Sequence, residues 1–144
     1  MRFKISKVDV WVGELEERPG GLNEKLEALA KAGVSLEFII SRRAPEKPGT
    51  GVVFLAPVRG AAQIRAAKDA RLSKATGLRS LRVEAPDRPG LGAQISRAIA
   101  RAGVSLRGLS AAALGRQSVT YLAFDSDADA TKASRVLKTA LAGK

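Results

Sequence analysis

The chain has 144 residues, of which 45% are hydrophobic and 27% charged, and its formal net charge is +11. This length and composition are typical of one ordinary globular domain or two small ones. Because the sequence contains no His and no Cys, it excludes nucleophilic sites built on those residues, thiolate or imidazole zinc sites, and haem or iron–sulfur centres with their usual ligands. Most hydrolytic and redox chemistry is thereby excluded. A small enzyme that uses only Lys, Arg, Asp, Glu or Ser stays a third possibility, but no paired carboxylates and no Ser-Lys spacing in the sequence call for one. We expect no catalytic residue, no metal and no cofactor, and we predict that the protein is not an enzyme.

The first half of the chain predicts strands and helices in alternation. Valines that alternate with Asp9 and Trp11 predict a strand over residues 8–12. After Gly20, apolar residues at helical spacing predict a short amphipathic helix that ends at Gly33. The same reasoning then predicts a strand at 34–40, a loop at 42–49, a strand at 51–55, a helix at 60–70 and a strand at 72–76.

The second half of the chain predicts the same order of elements, with one strand missing. The predicted elements are a strand around 81–83, a helix at 91–102, strands at 104–109 and 119–124, and a final amphipathic helix at 130–141. Each half is therefore βαββα, and a further strand is needed to complete βαββαβ. We hypothesise that Phe3–Ser6 supplies the last strand of the second half, which would remove an exposed sheet edge.

The order of elements repeats because the sequence itself repeats, at an offset of 70 residues. Arg18-Pro19-Gly20 matches Arg88-Pro89-Gly90, and the Ala-Gly-Val-Ser-Leu segment at 32–36 recurs at 102–106 without a gap. An internal duplication is the simplest account of two matches in one register. We therefore predict two units, residues 1–72 and residues 73–144, with residues 2–6 as the source of the last strand of the second.

The repeated segments resemble a known family. An acidic residue followed by Arg-Pro-Gly, then a short helix and Ala-Gly-Val-Ser-Leu, is a pattern that resembles the ACT domain, a small regulatory module that binds amino acids and related metabolites. Both copies have the pattern, and together the two units cover nearly the whole chain. The resemblance implies an α+β fold of two ferredoxin-like βαββαβ sandwich units, each with an antiparallel sheet and its helices on one face.

The two Arg-Pro-Gly loops are the candidate binding sites. A strand that ends at Pro-Gly and opens a helix exposes backbone N–H groups at the positive end of the helix dipole, which favours an anion such as an α-carboxylate. Glycines let a ligand approach the main chain, and a serine on the following strand offers a hydroxyl. With the resemblance, the candidate ligand-binding residues are Glu17, Arg18, Gly20, Gly21, Leu22, Ser35, Asp87, Arg88, Gly90, Leu91, Gly92 and Ser105.

Several positions depart from the commoner pattern of the family and leave the identity of the ligand open. Glu17 stands where Asp is usual, and Ser35 and Ser105 stand where Asn often begins the second strand. Gly92 stands where many members have a bulky apolar residue, which leaves the second loop more open. We therefore favour the second loop if only one of the two binds a ligand.

Each of these features also has a plainer interpretation. Pro-Gly is a common turn from a strand into a helix, and Ser35 or Ser105 can simply face solvent. The run Gly90–Ile95 resembles a truncated dinucleotide fingerprint, but Ile95 replaces its third glycine and no acidic residue follows about twenty residues on. We do not expect dinucleotide binding.

Three alternating aspartates, Asp125, Asp127 and Asp129, resemble the opening of a calcium loop. Ala130 stands where that loop needs glycine, and Val136 stands where its closing glutamate belongs. We predict instead that Asp127 or Asp129 caps the last helix by accepting a hydrogen bond from its first turn.

The net charge leaves a basic, nucleic-acid-associated ferredoxin-like module as the alternative function. Residues 1–72 carry a net charge of +4 and residues 73–144 carry +7, and a patch on one surface would be needed for such binding. The candidate patch consists of Arg97, Arg101 and Arg107, but we favour the interpretation of these residues as an ordinary solvated helix face. RNA recognition needs stacking aromatics, but aromatics are 4% of the residues, and Tyr121 and Phe124 point to opposite faces of a strand. We regard nucleic acid as the less favoured partner.

The main hypothesis is a binding protein that senses a small molecule, most simply an amino acid, and acts on a partner protein such as an enzyme. ACT units tend to associate, so the resemblance also implies a homodimer. The chain has no apolar run of the ~18 residues that a membrane span needs, and its opening MRFKISKVDV lacks the order of a signal peptide. We expect a cytoplasmic protein with no membrane partner.

Overall fold

The computed structural model of the chain describes residues 2–75 and 79–143. Residues Asp9–Ala75 form one compact unit, here the first unit, and the rest of the described chain forms the second unit. The division therefore falls after residue 75, three residues beyond the boundary used in the sequence analysis. In chain order the elements are β1 (Lys4–Val8), β2 (Trp11–Glu16), α1 (Gly21–Lys31), β3 (Phe38–Arg43), β4 (Thr50–Ala56), α2 (Gly60–Asp69), β5 (Ser73–Lys74), β6 (Arg79–Pro86), α3 (Leu91–Arg101), β7 (Gly108–Leu114), β8 (Gln117–Phe124) and α4 (Asp127–Ala142).

The first unit is a βαββαβ sandwich with a four-stranded antiparallel sheet. Its strands lie in the order β3-β4-β2-β5, and β5 pairs with only Trp11 and Val12 of β2. Leu29 of α1 and Ala67 of α2 lie in one core cluster with Trp11 and Leu55 of the sheet. Because both helices reach the same cluster, they cover the same face of the sheet. Thr76, the last residue of the predicted fourth strand, lies outside the described residues.

The second unit has the same strand order, with a strand from the beginning of the chain at one edge. Its sheet runs β1-β6-β8-β7, and β1 pairs antiparallel with β6 from Lys4↔Glu84 to Val8↔Ser80. Phe3 and Ile5 pack against the core of this unit. Strand β1 therefore occupies in the second unit the place that β5 occupies in the first. The α+β class and the antiparallel ferredoxin-like units expected from the sequence are confirmed.

The strand predicted over residues 8–12 is wrong in its bounds, and the buried face of the observed strand carries Trp11. Strand β1 ends at Val8 and β2 begins at Trp11, so the chain passes from one sheet to the other through Asp9 and Val10. The Trp11 side chain is only 2% exposed and lies in the core. Because side chains alternate along a strand, the buried face of β2 carries Trp11 and Leu15, while Val12 is only half-buried.

The strands predicted to begin at residues 34 and 104 begin later, at Phe38 and Gly108. After each helix the chain closes on itself, because the Val34 N–H donates to the Leu29 carbonyl (3.1 Å) and the Val104 N–H donates to the Ile99 carbonyl (3.2 Å). The apolar residues of these connections then pack against the core. Their alternation therefore imitates a strand. The chain joins the neighbouring strand just before β3 and β7 begin, where the Glu37 N–H donates to the Ala56 carbonyl (2.9 Å) and the Arg107 N–H donates to the Ala123 carbonyl (2.8 Å).

The cap of the last helix is Ser126 and not an aspartate. Its hydroxyl oxygen accepts a hydrogen bond from the Asp129 N–H at 3.1 Å. Asp127 and Asp129 lie inside the first turn, where their charge complements the helix dipole. The prediction that one of them is the cap was therefore wrong by one or more positions, because Ser is as good a cap as Asp.

Candidate functional site

The loop of the first unit turns sharply from β2 into α1. Gly20 is the N-cap of α1 and has a φ of 86°, a left-handed conformation that suits glycine. The Gly21 N–H donates to the Arg18 carbonyl at 3.2 Å, and the Glu24 N–H donates to the Gly20 carbonyl at 3.1 Å. No side chain caps this helix. The first turn of α1 therefore presents backbone donors at the positive end of the helix dipole.

The loop of the second unit has the same backbone and more room. Gly90 is the N-cap of α3, with a φ of 85° and no side-chain cap. The Leu91 side chain is 5% exposed and belongs to the core, whereas a Cβ added at Gly92 would meet nothing within 4 Å. A ligand can therefore reach the backbone of the first turn of α3 over Gly92.

The arginine of the first loop is neutralised within its own unit. The Arg18 Nη2 donates to both carboxylate oxygens of Glu24, at 2.7 and 2.8 Å, and to Glu16 Oε1 at 3.4 Å. The hydrogen bonds from Arg18 to Glu24 and then to Glu16 raise the pKa of Arg18 above its usual value. Glu17, next in the loop, is 3.6 Å from Arg43. The first loop therefore holds more negative than positive charge.

The arginine of the second loop has a neutral partner instead. The Arg88 guanidinium donates to the side-chain oxygen of Gln94, one turn into α3. The Gln94 amide nitrogen in turn donates to the Ala140 carbonyl of α4 at 3.0 Å. Within the part of the chain that the structure describes, no carboxylate forms an ion pair with Arg88, and Asp87 contributes its N–H to the Arg116 carbonyl at 2.8 Å.

The structure does not bring Ser35 or Ser105 to the loop of its own unit. Both serines are exposed and lie in the connections that precede β3 and β7. In the first unit, β2 ends beside the loop where Glu16 pairs with Thr50, whereas β3 begins where Phe38 pairs with Ala56. These are opposite ends of a sheet whose strands are about 17–20 Å long. The placement of Ser35 on the following strand was therefore wrong, because β3 begins at Phe38, and its role in binding a ligand stays a prediction.

Two cavities of the first unit lie on either side of its loop. One cavity has a volume of 470 Å³ and is lined both by candidate residues of the loop and by residues of β3 and β4 that the sequence analysis did not single out. Its lining residues are Leu15, Glu16, Glu17, Arg18, Pro19, Leu22, Ser41, Arg42, Arg43, Thr50 and Gly51. A larger cavity, of 730 Å³, lies between the first half of α1 and the end of α2, and Lys25 is one of its lining residues. Burial and then the charge of Arg71 lower the pKa of Lys25 below its usual value. The Arg42-Arg43 pair was the one signal in the sequence that could have pointed to the smaller cavity.

Some of the features behind the alternative functions are explained by local contacts or by burial. Arg107 pairs with Asp125 at 3.0 Å and Lys7 pairs with Asp127 at 3.0 Å, and in the described chain no three acidic residues are grouped to hold a metal ion. Phe124 lies in the core and is not available for stacking on a base. No helix in the described ranges is long and apolar enough to cross a membrane.

Comparison with known proteins finds a family model that matches part of the chain and solved structures that resemble nearly all of it. The family model of the ACT domain matches residues 79–140. A protein of Bacteroides thetaiotaomicron is 21% identical, with a TM-score of 0.76 over 94% of this chain and 89% of that one. The ligand-free regulatory subunit of aspartate kinase from Thermus thermophilus is 14% identical, with a TM-score of 0.67 over 97% of each chain. The corresponding subunit from Thermus flavus is 14% identical, with a TM-score of 0.62 over 96% of each chain.

No curated protein sequence matches the chain, and at these identities the solved structures show a likeness of fold. The family match covers β6, α3, β7, β8 and most of α4, and the strand order of the second unit recurs in the first. Residues 79–140 of the second unit therefore match the ACT domain, and the first unit has the same strand order.

Proposed function

We propose that the protein binds an amino acid, or a related small metabolite with a carboxylate, at the loop of residues 87–92 and thereby regulates a partner protein. One observation carries this choice: Arg88 stands beside the uncapped start of α3 without a carboxylate partner, while Gly92 leaves open space above the backbone. A carboxylate placed there gains hydrogen bonds from N–H groups, the helix dipole and a guanidinium.

Regulation by binding, without catalysis, is supported by the match of the second unit to the ACT domain and by the folds that resemble the whole chain. Two of those folds are regulatory subunits of aspartate kinase. An effector acts by binding one conformation better than another, so the partner's activity follows ligand occupancy. The partner of this chain is accordingly proposed to be an enzyme or another regulated protein, and the protein itself is proposed to be cytoplasmic and to need no cofactor.

The first loop is the weaker of the two candidate sites, although both cavities described above lie beside it. Its arginine already holds an internal carboxylate, Glu24, at hydrogen-bond distance. Ser35 and Ser105 remain candidates only for a ligand that is shared with another copy of the chain, since each precedes a strand that begins at the far end of the sheet from the loop of its own unit.

We further propose a homodimer that forms through strand β7. This strand is at the edge of its sheet and has seven residues, GLSAAAL, without a charge. Leu109 is 46% and Leu114 is 86% exposed. An exposed, uncharged edge strand is a surface that pairs with another strand. Sedimentation equilibrium tests this: a Leu109→Lys variant should be a monomer under conditions where the wild type is a dimer, and a monomeric wild type contradicts the proposal.

The experiment that tests the binding function is calorimetric titration with each of the twenty amino acids, after a thermal-shift screen. A selective ligand should bind the wild type and fail to bind a Gly92→Val variant, because the new side chain fills the space above the first turn. Ala100→Val, an exposed position near the other end of α3, is the matched control and should bind normally. Gly21→Val is unsuitable, because a Cβ there would stand 2.6 Å from the Glu16 carbonyl oxygen.

A nucleic-acid partner is the second candidate, because the charge is concentrated in one unit. Residues 9–75 have 11 basic and 9 acidic side chains, a net charge of +2, whereas the rest of the chain has 14 and 5, a net charge of +9. Arg97 and Arg101 are exposed on α3. Fluorescence anisotropy with a labelled duplex should then show binding that weakens steeply with salt and falls in an Arg97→Gln/Arg101→Gln variant. Binding that is absent at low salt rejects this candidate.

A further inference from the structure

We propose that the residue one turn into the first helix of each unit, Gln94 in the second and Glu24 in the first, decides which loop can hold a carboxylate. The two residues are equivalent in the repeat, and so are the arginines that they contact, Arg88 and Arg18. This inference rests on the proposed function and deepens it, since it names the side chain that selects one of two otherwise similar loops.

In the first unit the selecting residue is itself an anion. Both oxygens of the Glu24 carboxylate lie within 2.8 Å of the Arg18 Nη2, and Glu16 lies 3.4 Å from the same nitrogen. The loop therefore already contains the carboxylate that a ligand would have to supply. An incoming anion would meet the repulsion of two glutamates and would find the guanidinium occupied.

In the second unit the selecting residue positions the arginine without neutralising it. The Gln94 amide nitrogen donates to the Ala140 carbonyl at 3.0 Å, and this directs the other end of the amide, its oxygen, towards Arg88. An amide oxygen accepts a hydrogen bond but carries no net charge. Arg88 is therefore held beside the start of α3 with its full positive charge available to a ligand.

The neighbouring positions of the two loops differ in the same direction. Pro86 of the second unit stands at the position equivalent to Glu16, so the second acid that faces Arg18 has no counterpart beside Arg88. Gly92 stands at the position equivalent to Leu22. Charge and space thus both favour an anion at the second loop. The difference in charge can be tested by a single substitution, because Glu and Gln have nearly the same size.

The test uses acetate as the probe and two-dimensional NMR of the full chain, with chloride at the same ionic strength as the reference. In the wild type, acetate should cause saturable shifts of the backbone amides of residues 90–94 and none at residues 20–24. Gln94→Glu should weaken acetate binding at the second loop at least about tenfold, which corresponds to roughly 1.4 kcal/mol. Glu24→Gln should create saturable shifts at residues 20–24.

A matched variant separates charge from mere packing. Gln94→Met removes the amide and its bond to Ala140 but adds no charge, so acetate binding should remain within about threefold of the wild type. The inference is overturned if Gln94→Met weakens binding as much as Gln94→Glu, if both loops of the wild type respond alike, or if neither responds. Acetate binding at residues 90–94 without binding of any amino acid would contradict an amino acid as the ligand and leave the inference standing.

Discussion

Gly21 and Glu16 touch across the turn between β2 and α1. A Cβ at Gly21 would stand 2.6 Å from the Glu16 carbonyl oxygen, closer than such atoms approach in folded proteins. The neighbouring atoms are backbone and cannot rotate away. Gly21→Ala should therefore lower the free energy of unfolding of the first unit by about 1–3 kcal/mol, as measured by urea denaturation.

The matched control for that substitution lies in the second unit. Gly92 is inside the first turn of α3, and a Cβ there would meet nothing within 4 Å. Alanine is a better helix former than glycine, so Gly92→Ala should leave stability unchanged or raise it by up to about 1 kcal/mol. Equal losses of stability in the two variants would contradict the assignment of the close contact to Gly21.

Trp11 gives a second prediction, which follows from its burial in the first unit. The side chain is 2% exposed and belongs to the core cluster with Leu55 and Leu72. Trp11→Ala should cost about 3–5 kcal/mol in the free energy of unfolding. Val12→Ala, on the opposite face of the same strand, should cost about 1 kcal/mol. A loss for Val12→Ala as large as for Trp11→Ala would contradict the observed faces of β2.

The helices, and the repetition of one fold in the two units, could be predicted from the sequence. Their apolar spacing and their glycine stops are local signals, and α1, α2 and α3 begin within one residue of where these signals place them. The faces of β2 were not predictable in this way. The valines at positions 8, 10 and 12 continue one alternating pattern across a point where the chain changes sheets, and no local rule marks that change.

The two loops could be singled out from the sequence as candidate sites, but the difference between the contacts of Arg18 and Arg88 could not be predicted. The Arg-Pro-Gly motif and Gly92 are visible in the sequence. That Arg18 and Arg88 each contact the residue six positions later depends on side-chain placement at the helix start. The far position of Ser35 depends on where β3 begins, and the connection before it had the alternation of a strand.

Strand β1 gives a third prediction, because it completes a sheet formed by residues far along the chain. Ile5 pairs with Val83 of β6 and packs against the core of the second unit. Ile5→Ala should destabilise the second unit by about 1–3 kcal/mol. In hydrogen exchange, the amides of β1 and β6 should lose protection together, while those of the first unit keep theirs.

A surface contact of the same strand supplies the control. Lys7 donates to Asp127 at 3.0 Å and to Thr131 at 2.9 Å, and both members of the ion pair are more than half exposed. Exposed pairs contribute little, so Lys7→Gln should change stability by less than about 1 kcal/mol. If Ile5→Ala left the protection of β6 intact, the core contact of β1 would be contradicted.

Lys25 gives the last prediction, a dependence of stability on pH. Its Nζ donates to the Ala70 carbonyl at the end of α2, at 2.6 Å, and burial followed by the charge of Arg71 lowers its pKa from the unfolded value of 10.5. The folded state therefore binds this proton less tightly than the unfolded state. The charged lysine costs stability at neutral pH, and this cost disappears as the pH rises from the folded pKa towards the unfolded one.

The measurement is the difference in unfolding free energy between the wild type and a Lys25→Gln variant, which cannot titrate. As the pH rises through the lowered folded pKa towards 10.5, this difference should shift in favour of the wild type. Lys31→Gln, at an exposed position of the same helix, is the control and should show a smaller shift. A shift in the opposite direction for Lys25→Gln, but not for Lys31→Gln, would contradict the prediction. It would mean that the hydrogen bond to the Ala70 carbonyl favours the charged amine more than burial disfavours it.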